Sequence, residues 1–341
     1  MNHKEVLLTI NNLRVCYHLD KSVAKAVDGF SCQVRKGECF GIVGESGSGK
    51  TTLVKSILKL LPYNGEIVEG RIYLKGSDIT DLNEKAMDRI RWRKISVVTQ
   101  SAMNSLNPVA RISEQMLETF LAHDPSMDKK VVLERCQNLF EMVGLNKSRI
   151  FDFPHQFSGG MRQRVIIAMA IALDPELIIA DEPTTALDVI MQAQIVNLLR
   201  SLAEKQGISI ILITHNIALV AEICQSVAVM YAGRCMEYGD ISKVFGSPLH
   251  PYTMGLKGAF PTIKDLRKTL ISIPGSPPAL TESLEKCVFS ERCPFSTKEC
   301  EAERPEMGKV DLNHWVACHR IEHASRFREE IEDKFRAKME G

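Results

Sequence analysis

The 341-residue sequence lacks any apolar run long enough to cross a bilayer. The longest in its body, 165–173, stops at Asp174-Pro175, whereas a spanning helix needs about 20 residues. The opening MNHKEVLLTINNLRV has no stretch of signal-peptide character and reads as a strand of the mature protein, so a cytoplasmic location is expected. Charge of one sign is not in excess either. With 43 basic against 42 acidic residues, no long-range positive field points to nucleic acid or to an anionic membrane surface. Any membrane association therefore rests on docking to partner proteins. Internal repeats and low-complexity segments are absent, which excludes solenoids and disordered linkers.

What is present is a hydrophobic content of 45%, enough for a large core without help from disulfides or metals. Of the ten cysteines, Cys16, Cys32, Cys39, Cys136, Cys224 and Cys235 are scattered among apolar neighbours and read as buried thiols. Strand character in 38–43 gives way to a glycine-rich turn and then to 50–61, where Leu53, Ile57, Leu58 and Leu61 recur at helical spacing. Helical segments such as 128–143, broken at Asp124-Pro125 and Phe153-Pro154, fill about 84–158. Strand signals return at 177–180, 208–214 and 226–230 around a helical stretch at 189–206. Such alternation implies an α/β fold with a mostly parallel sheet. From Gly246 the chain is proline-rich and then holds four cysteines within 32 residues, which marks 246–341 as an extension following a domain at 1–245. Near the C-terminus, Phe327, Ile331, Phe335 and Met339 stand four apart among charges, the pattern of a helix packed on the body.

Gly44-Glu-Ser46-Gly47-Ser-Gly49-Lys50-Thr51 matches the P-loop pattern, followed by Thr52. Its glycines let successive backbone N–H groups wrap phosphates at a helix N-terminus, Lys50 neutralises phosphate charge, and Thr51 supplies an oxygen to Mg2+. A flexible Gly/Ser turn is the alternative. The apolar strand Leu177-Ile-Ile-Ala-Asp181-Glu182 ends in two carboxylates that alternate in direction. Asp181 suits the surroundings of the metal and Glu182 the base that polarises a water. Taken alone, a DE pair is a solvated strand end.

Many proteins carry a P-loop, and the class is narrowed by Ser158-Gly159-Gly160-Met161-Arg162-Gln163, which precedes an apolar helix and stands 23 positions before Asp181 (181 − 158). A serine hydroxyl and two glycine amides at a helix start form an anion site. In these features the sequence resembles the ABC transporter ATPase family. The resemblance implies a P-loop NTPase core with a parallel sheet, antiparallel edge strands and a helical subdomain. It implies that Ser158, Gly159 and Gly160 meet ATP held by a facing ATPase subunit, identical or related. It places adenine on Tyr17, Mg2+ and the attacking water near Gln100, the γ-phosphate near His215, and Asp188 at the dimer interface. Met161 stands where many relatives carry glutamine, and a thioether cannot donate a hydrogen bond.

The Ser247-Pro-Leu-His250-Pro251-Tyr252-Thr253 stretch and its cysteine-bearing sequel resemble the tail of ATPase subunits from dipeptide, oligopeptide and nickel importers. Read without that resemblance, His-Pro-Tyr is a rigid turn. Cys287, Cys293, Cys300 and Cys318 fit neither the short pairs of structural zinc nor the ferredoxin runs. A [4Fe-4S] cluster is implied by resemblance to that branch, with zinc and free thiols as alternatives. The expected function is ATP hydrolysis that energises import of di- or oligopeptides, from a peripheral position on the cytoplasmic face of the inner membrane. The expected partners are two permease subunits, a second ATPase and, indirectly, a periplasmic or extracellular solute-binding protein, with no nucleic acid. Nickel or another small solute is the alternative cargo. A soluble ABC ATPase without a permease is the competing class, disfavoured because such chains often pair two ATPase modules.

Overall fold

The computed structural model describes residues 5–99, 105–185, 187–259, 273–281 and 285–340. In chain order the strands are β1 (Val6–His18), β2 (Val23–Arg35), β3 (Cys39–Val43), β4 (Gly65–Leu74), β5 (Ser77–Asp78), β6 (Ile95–Val98), β7 (Leu177–Asp181), β8 (Ser209–Ile213), β9 (Ser226–Tyr231), β10 (Arg234–Asp240), β11 (Gly308–Asp311) and β12 (His314–Val316). The helices are α1 (Lys50–Ile57), α2 (Glu84–Met87), α3 (Ile112–Leu121), α4 (Lys129–Met142), α5 (Gly159–Ala170), α6 (Val189–Gln206), α7 (Ile217–Ile223), α8 (Ile241–Val244), α9 (Pro251–Gly258), α10 (Lys298–Ala302) and α11 (Ala324–Glu340). Among the described residues no helix is long and apolar enough to cross a membrane. The chain divides into two compact units, one of Met1–Arg35, Phe40–Asp81 and Thr214–Gly341, the other of Lys36–Cys39 and Leu82–Ile213.

In the first unit β1 pairs antiparallel with both β2 and β4, and β4 with β5. A second set runs β3 parallel to β9, then β9, β10, β12 and β11 antiparallel in turn. Every residue of β3 and β9 is buried, which is why both read as unbroken apolar runs rather than as alternation. The second unit is built on parallel β6, β7 and β8, and β7 and β8 are likewise buried throughout. Its two longest helices start on side-chain caps: Asp128 accepts from Lys130 N at 2.7 Å before α4, and Asp188 from Met191 N at 2.8 Å before α6. Each such cap is worth about 1 kcal/mol.

The C-terminal residues of the first unit are anchored by one carboxylate. Glu237, on β10, is fully buried and accepts from Leu249 N (2.9 Å) and His250 N (3.0 Å), while His314 Nε2 lies 2.8 Å from it. These contacts fix the entry to α9, where His250 is the N-cap and its Nδ1 accepts from Tyr252 N at 3.0 Å. The expected terminal helix is α11. Phe327, Ile331 and Phe335 are buried, and α11 packs on α9, where Gly255 leaves room for the Phe335 ring. Phe327 also stacks on Phe295 with ring centroids 3.9 Å apart.

Removing the Glu237 carboxylate strands the buried His250 N–H, the part-buried Leu249 N–H and a buried histidine. Glu237→Ala is expected to destabilise the protein by about 3–5 kcal/mol, and Glu237→Gln by less, in denaturant unfolding. Equal and small losses would contradict the anchoring role.

Candidate nucleotide site

The phosphate cradle lies between β3 and α1 in the first unit. Gly44, Gly47 and Gly49 have φ of 153°, 77° and 99°, values that L side chains rarely adopt. A Cβ on Gly44 would stand 2.1 Å from Met230 O, and one on Gly49 2.2 Å from Ala26 O. The loop is therefore pressed against the backbones of β9 and β2. Gly49 caps α1 without a side-chain hydrogen bond, so the N–H groups of the first turn face the loop, an arrangement suited to anions. Lys50 is buried, and its ammonium donates to Gly44 O and Glu45 O, both at 2.8 Å, and to Ser48 Oγ at 3.2 Å. Ser46, Gly47 and Thr51 are exposed at the mouth, with Thr52 half-buried.

Tyr17 sits on β1, its hydroxyl 3.2 Å from Thr52 Oγ1 and its ring edge against Gly65. It thus lies directly behind the second threonine of the loop. His215 is exposed and follows Thr214, whose N–H donates to Ile42 O at 3.2 Å, on the strand that leads into the cradle. Gln100 lies outside the described residues.

The second unit carries the acidic and serine-glycine elements. Asp181 is 5% exposed at the end of β7. Glu182 follows in a left-handed conformation, φ 51°, with its N–H on Ile213 O at 2.8 Å and its carboxylate accepting from Thr185 Oγ1 at 3.3 Å. A glutamate held at positive φ is a strained residue retained by its surroundings. Ser158 is the N-cap of α5, its Oγ accepting from Met161 N at 3.4 Å. Gly160 packs against Met191, whose Sδ would stand 2.7 Å from a Cβ placed there. Met161 is turned to its own unit: its thioether accepts from Arg149 Nη1 at 3.4 Å, and that guanidinium also lies over the Phe157 ring at 4.4 Å. The Asp188 carboxylate is occupied in capping α6, whose first residues Val189 and Ile190 are 81% and 70% exposed.

Cys287, Cys293, Cys300 and Cys318 line one partly open cavity in the first unit together with Phe289, Phe295, Phe327, His250, His319 and Arg320. Burial pushes the Cys293 and Cys318 thiols up to about 12. Among the described residues no group of three or more His, Cys, Asp or Glu is arranged to hold a metal ion. The four-cysteine ligand set read from the sequence is thus found as a common apolar cavity and not as a metal centre. The other six cysteines are buried, as expected.

Two further contacts reach the cradle from distant segments of the chain. Tyr252, in the His-Pro-Tyr stretch, accepts from Glu45 N at 3.0 Å, and Arg292 Nη1 donates to Glu45 Oε2 at 2.8 Å. Neither carries a local signal, because the partners are 207 and 247 residues apart.

A glycine cradle that seats a buried lysine at a helix start defines a P-loop nucleotide hydrolase. Residues 27–185 match the ABC transporter family and residues 236–300 the oligopeptide/dipeptide transporter C-terminal region. The dipeptide transport ATP-binding protein DppD of Caldanaerobacter subterraneus is 38% identical over 93% of this chain and 98% of that protein. The oligopeptide transport ATP-binding protein OppD of Escherichia coli is 42% identical over 88% and 89%. Among solved structures, the dimeric ATP-binding cassette MJ0796 bound to ADP and Pi matches with a TM-score of 0.62 at 28% identity, over 69% of this chain and 99% of that one. The chain belongs to the ABC transporter ATP-binding proteins and is an ATPase of that type.

Gly49→Ala meets a backbone oxygen, whereas Gly47→Ala meets nothing within 4 Å and bears only the cost of its positive φ, about 1–2 kcal/mol. Equilibrium binding of a fluorescent ATP analogue is expected to weaken at least tenfold in Gly49→Ala and clearly less in Gly47→Ala. The reverse order would contradict the packing described.

Proposed function

We propose that this chain energises import of di- or oligopeptides as the ATP-hydrolysing subunit of a membrane transporter, at the cytoplasmic face of the inner membrane. The observation that carries this reading is the pairing of the ATPase match at 27–185 with the oligopeptide/dipeptide transporter region at 236–300 in one chain. Relatives that span nearly its whole length bear dipeptide and oligopeptide transport names. On this reading 1–245 forms the ATPase domain with a helical subdomain at about 84–158, and 246–341 forms the transporter-type extension.

Within the site, Tyr17 stacks on adenine, and the N–H groups of 44–52 with the Lys50 ammonium bind the phosphates. Thr51, Gln100 and Asp181 offer hard oxygen donors suited to Mg2+, which when bound offsets phosphate charge. Glu182 polarises the attacking water and His215 contacts the γ-phosphate. Ser158, Gly159 and Gly160 complete the ATP site of a second ATPase subunit, with Asp188 and the exposed start of α6 facing that partner. Two permeases receive the motion, and a solute-binding protein outside the membrane delivers cargo.

The cysteine cavity fits soft-metal chemistry in its donor set, four thiols with apolar walls. Cys287, Cys293, Cys300 and Cys318 are proposed, on this donor chemistry and the transporter-type tail, to hold a [4Fe-4S] cluster, which would supply a cross-link to the extension, with zinc and free thiols as the alternatives.

Glu182→Gln is expected to bind ATP yet lose about 10²- to 10⁴-fold in turnover; normal turnover would contradict the assigned role. Chain tagged in its native host and purified from gently solubilised membranes is expected to bring permeases and an ATPase partner, whereas recovery with soluble proteins alone would favour a machine without a permease. Anaerobically purified protein is expected to contain iron and acid-labile sulfide that Cys293→Ser reduces. Zinc or bare thiols in their place would contradict the cluster.

A further inference from the structure

Glu45, the second residue of the cradle, is held on three sides within the first unit. Its carbonyl accepts from Lys50 Nζ at 2.8 Å, its N–H donates to Tyr252 Oη at 3.0 Å, and its carboxylate accepts from Arg292 Nη1 at 2.8 Å. Only the first of these contacts belongs to the loop itself. The other two come from the C-terminal part of the chain.

Arg292 is fixed more firmly than a surface ion pair requires. It is 6% exposed, and its remaining donors reach Pro274 O (2.8 Å), Ile273 O (3.1 Å) and Tyr231 Oη (3.2 Å). The guanidinium lies 5.5 Å from the Tyr231 ring centre and 6.0 Å from that of Phe289. Tyr231, Tyr252 and Phe289 pack mutually, with centroids 4.7 to 5.3 Å apart. Arg292 and Cys293 both donate from the backbone to Phe289 O, at 3.1 and 2.9 Å, so the arginine sits on the same turn as a wall of the cysteine cavity. Further pins join this region to the strand beneath the cradle: Lys25 N donates to Leu280 O at 2.8 Å, and Arg304 Nη1 pairs with Asp28 at 3.1 Å.

We propose that Arg292 is a positioning residue for the phosphate cradle: by holding and neutralising the Glu45 carboxylate, with Tyr252 holding its N–H, the C-terminal extension sets the shape and charge of the loop that receives ATP. The physical reasons are two. A carboxylate beside a triphosphate repels it unless a cation is paired to it in a partly buried setting, where charges act over short range with little screening. A loop with three glycines at positive φ has many alternative shapes, and fixing one of them in advance lowers the entropic cost of binding. The extension thus acts on nucleotide affinity from residues that never touch the nucleotide.

The test is a double-mutant cycle on the full-length chain, read as Kd for a fluorescent ATP analogue, with thermal unfolding as a check on folding and Lys50→Ala as the reference for lost binding. Arg292→Met is expected to weaken binding about tenfold, equal to about 1.4 kcal/mol, and Arg292→Lys to restore part of that affinity. In the Glu45→Gln background, where no carboxylate needs a counter-charge, Arg292→Met is expected to cost less than threefold. Steady-state kinetics should show the loss in KM for ATP more than in kcat. An unchanged Kd in folded Arg292→Met, or an equal loss in both backgrounds, overturns the proposal. Should Arg292→Met not fold, Tyr252→Phe, which removes one oxygen and keeps the ring, is expected to weaken binding at least threefold; an unchanged Kd there overturns it. Failure of the unaltered chain to bind the analogue would instead count against ATP binding itself.

Discussion

Everything in the nucleotide site rests on one constraint, the close approach of the 44–49 loop to neighbouring backbone. Gly44 and Gly49 leave no space for a Cβ against Met230 O and Ala26 O, and both adopt φ values that other residues avoid. This approach turns the loop inward so that Lys50 reaches two of its carbonyls and the first turn of α1 points at the same spot. A loop lying further from β9 and β2 would present neither the lysine nor the amides in register. Strain of this kind is retained because buried parallel strands on one side and α1 on the other over-determine the chain path.

The C-terminal residues are bound into that same region rather than appended to it. Glu237 fastens the start of α9, the aromatic cluster of Tyr231, Tyr252 and Phe289 fills the space behind it, and Arg292 reaches from there to Glu45. The cavity of four cysteines lies against this cluster and shares Phe289 with it. Through these contacts the cradle and the C-terminal residues form one packed region of the first unit.

The sequence was most informative where chemistry is local. The strands β3, β7, β8 and β9 were legible because complete burial makes them short apolar runs, and the cradle was legible because its glycines, lysine and threonine are contiguous. The end of α1 was less so: the apolar spacing continues to Leu61, but the helix stops at Ile57, with Lys59 at φ 51° and Pro62 beyond. Periodicity records which residues are apolar and not where the backbone turns. At Met161, where many relatives carry glutamine, the thioether accepts from Arg149. Arg292 and Glu237 could not be found this way. A buried charge is recognised by its partner, and their partners lie in distant segments.

The most direct test of the account is ATP hydrolysis by this chain reconstituted in lipid vesicles with its co-purifying membrane partners and solute-binding protein, measured with and without di- and oligopeptides. Hydrolysis is expected to rise when peptide-loaded binding protein is supplied, and peptide accumulation to stop when Glu182 is replaced by Gln. Hydrolysis indifferent both to peptide and to the membrane partners would contradict the account.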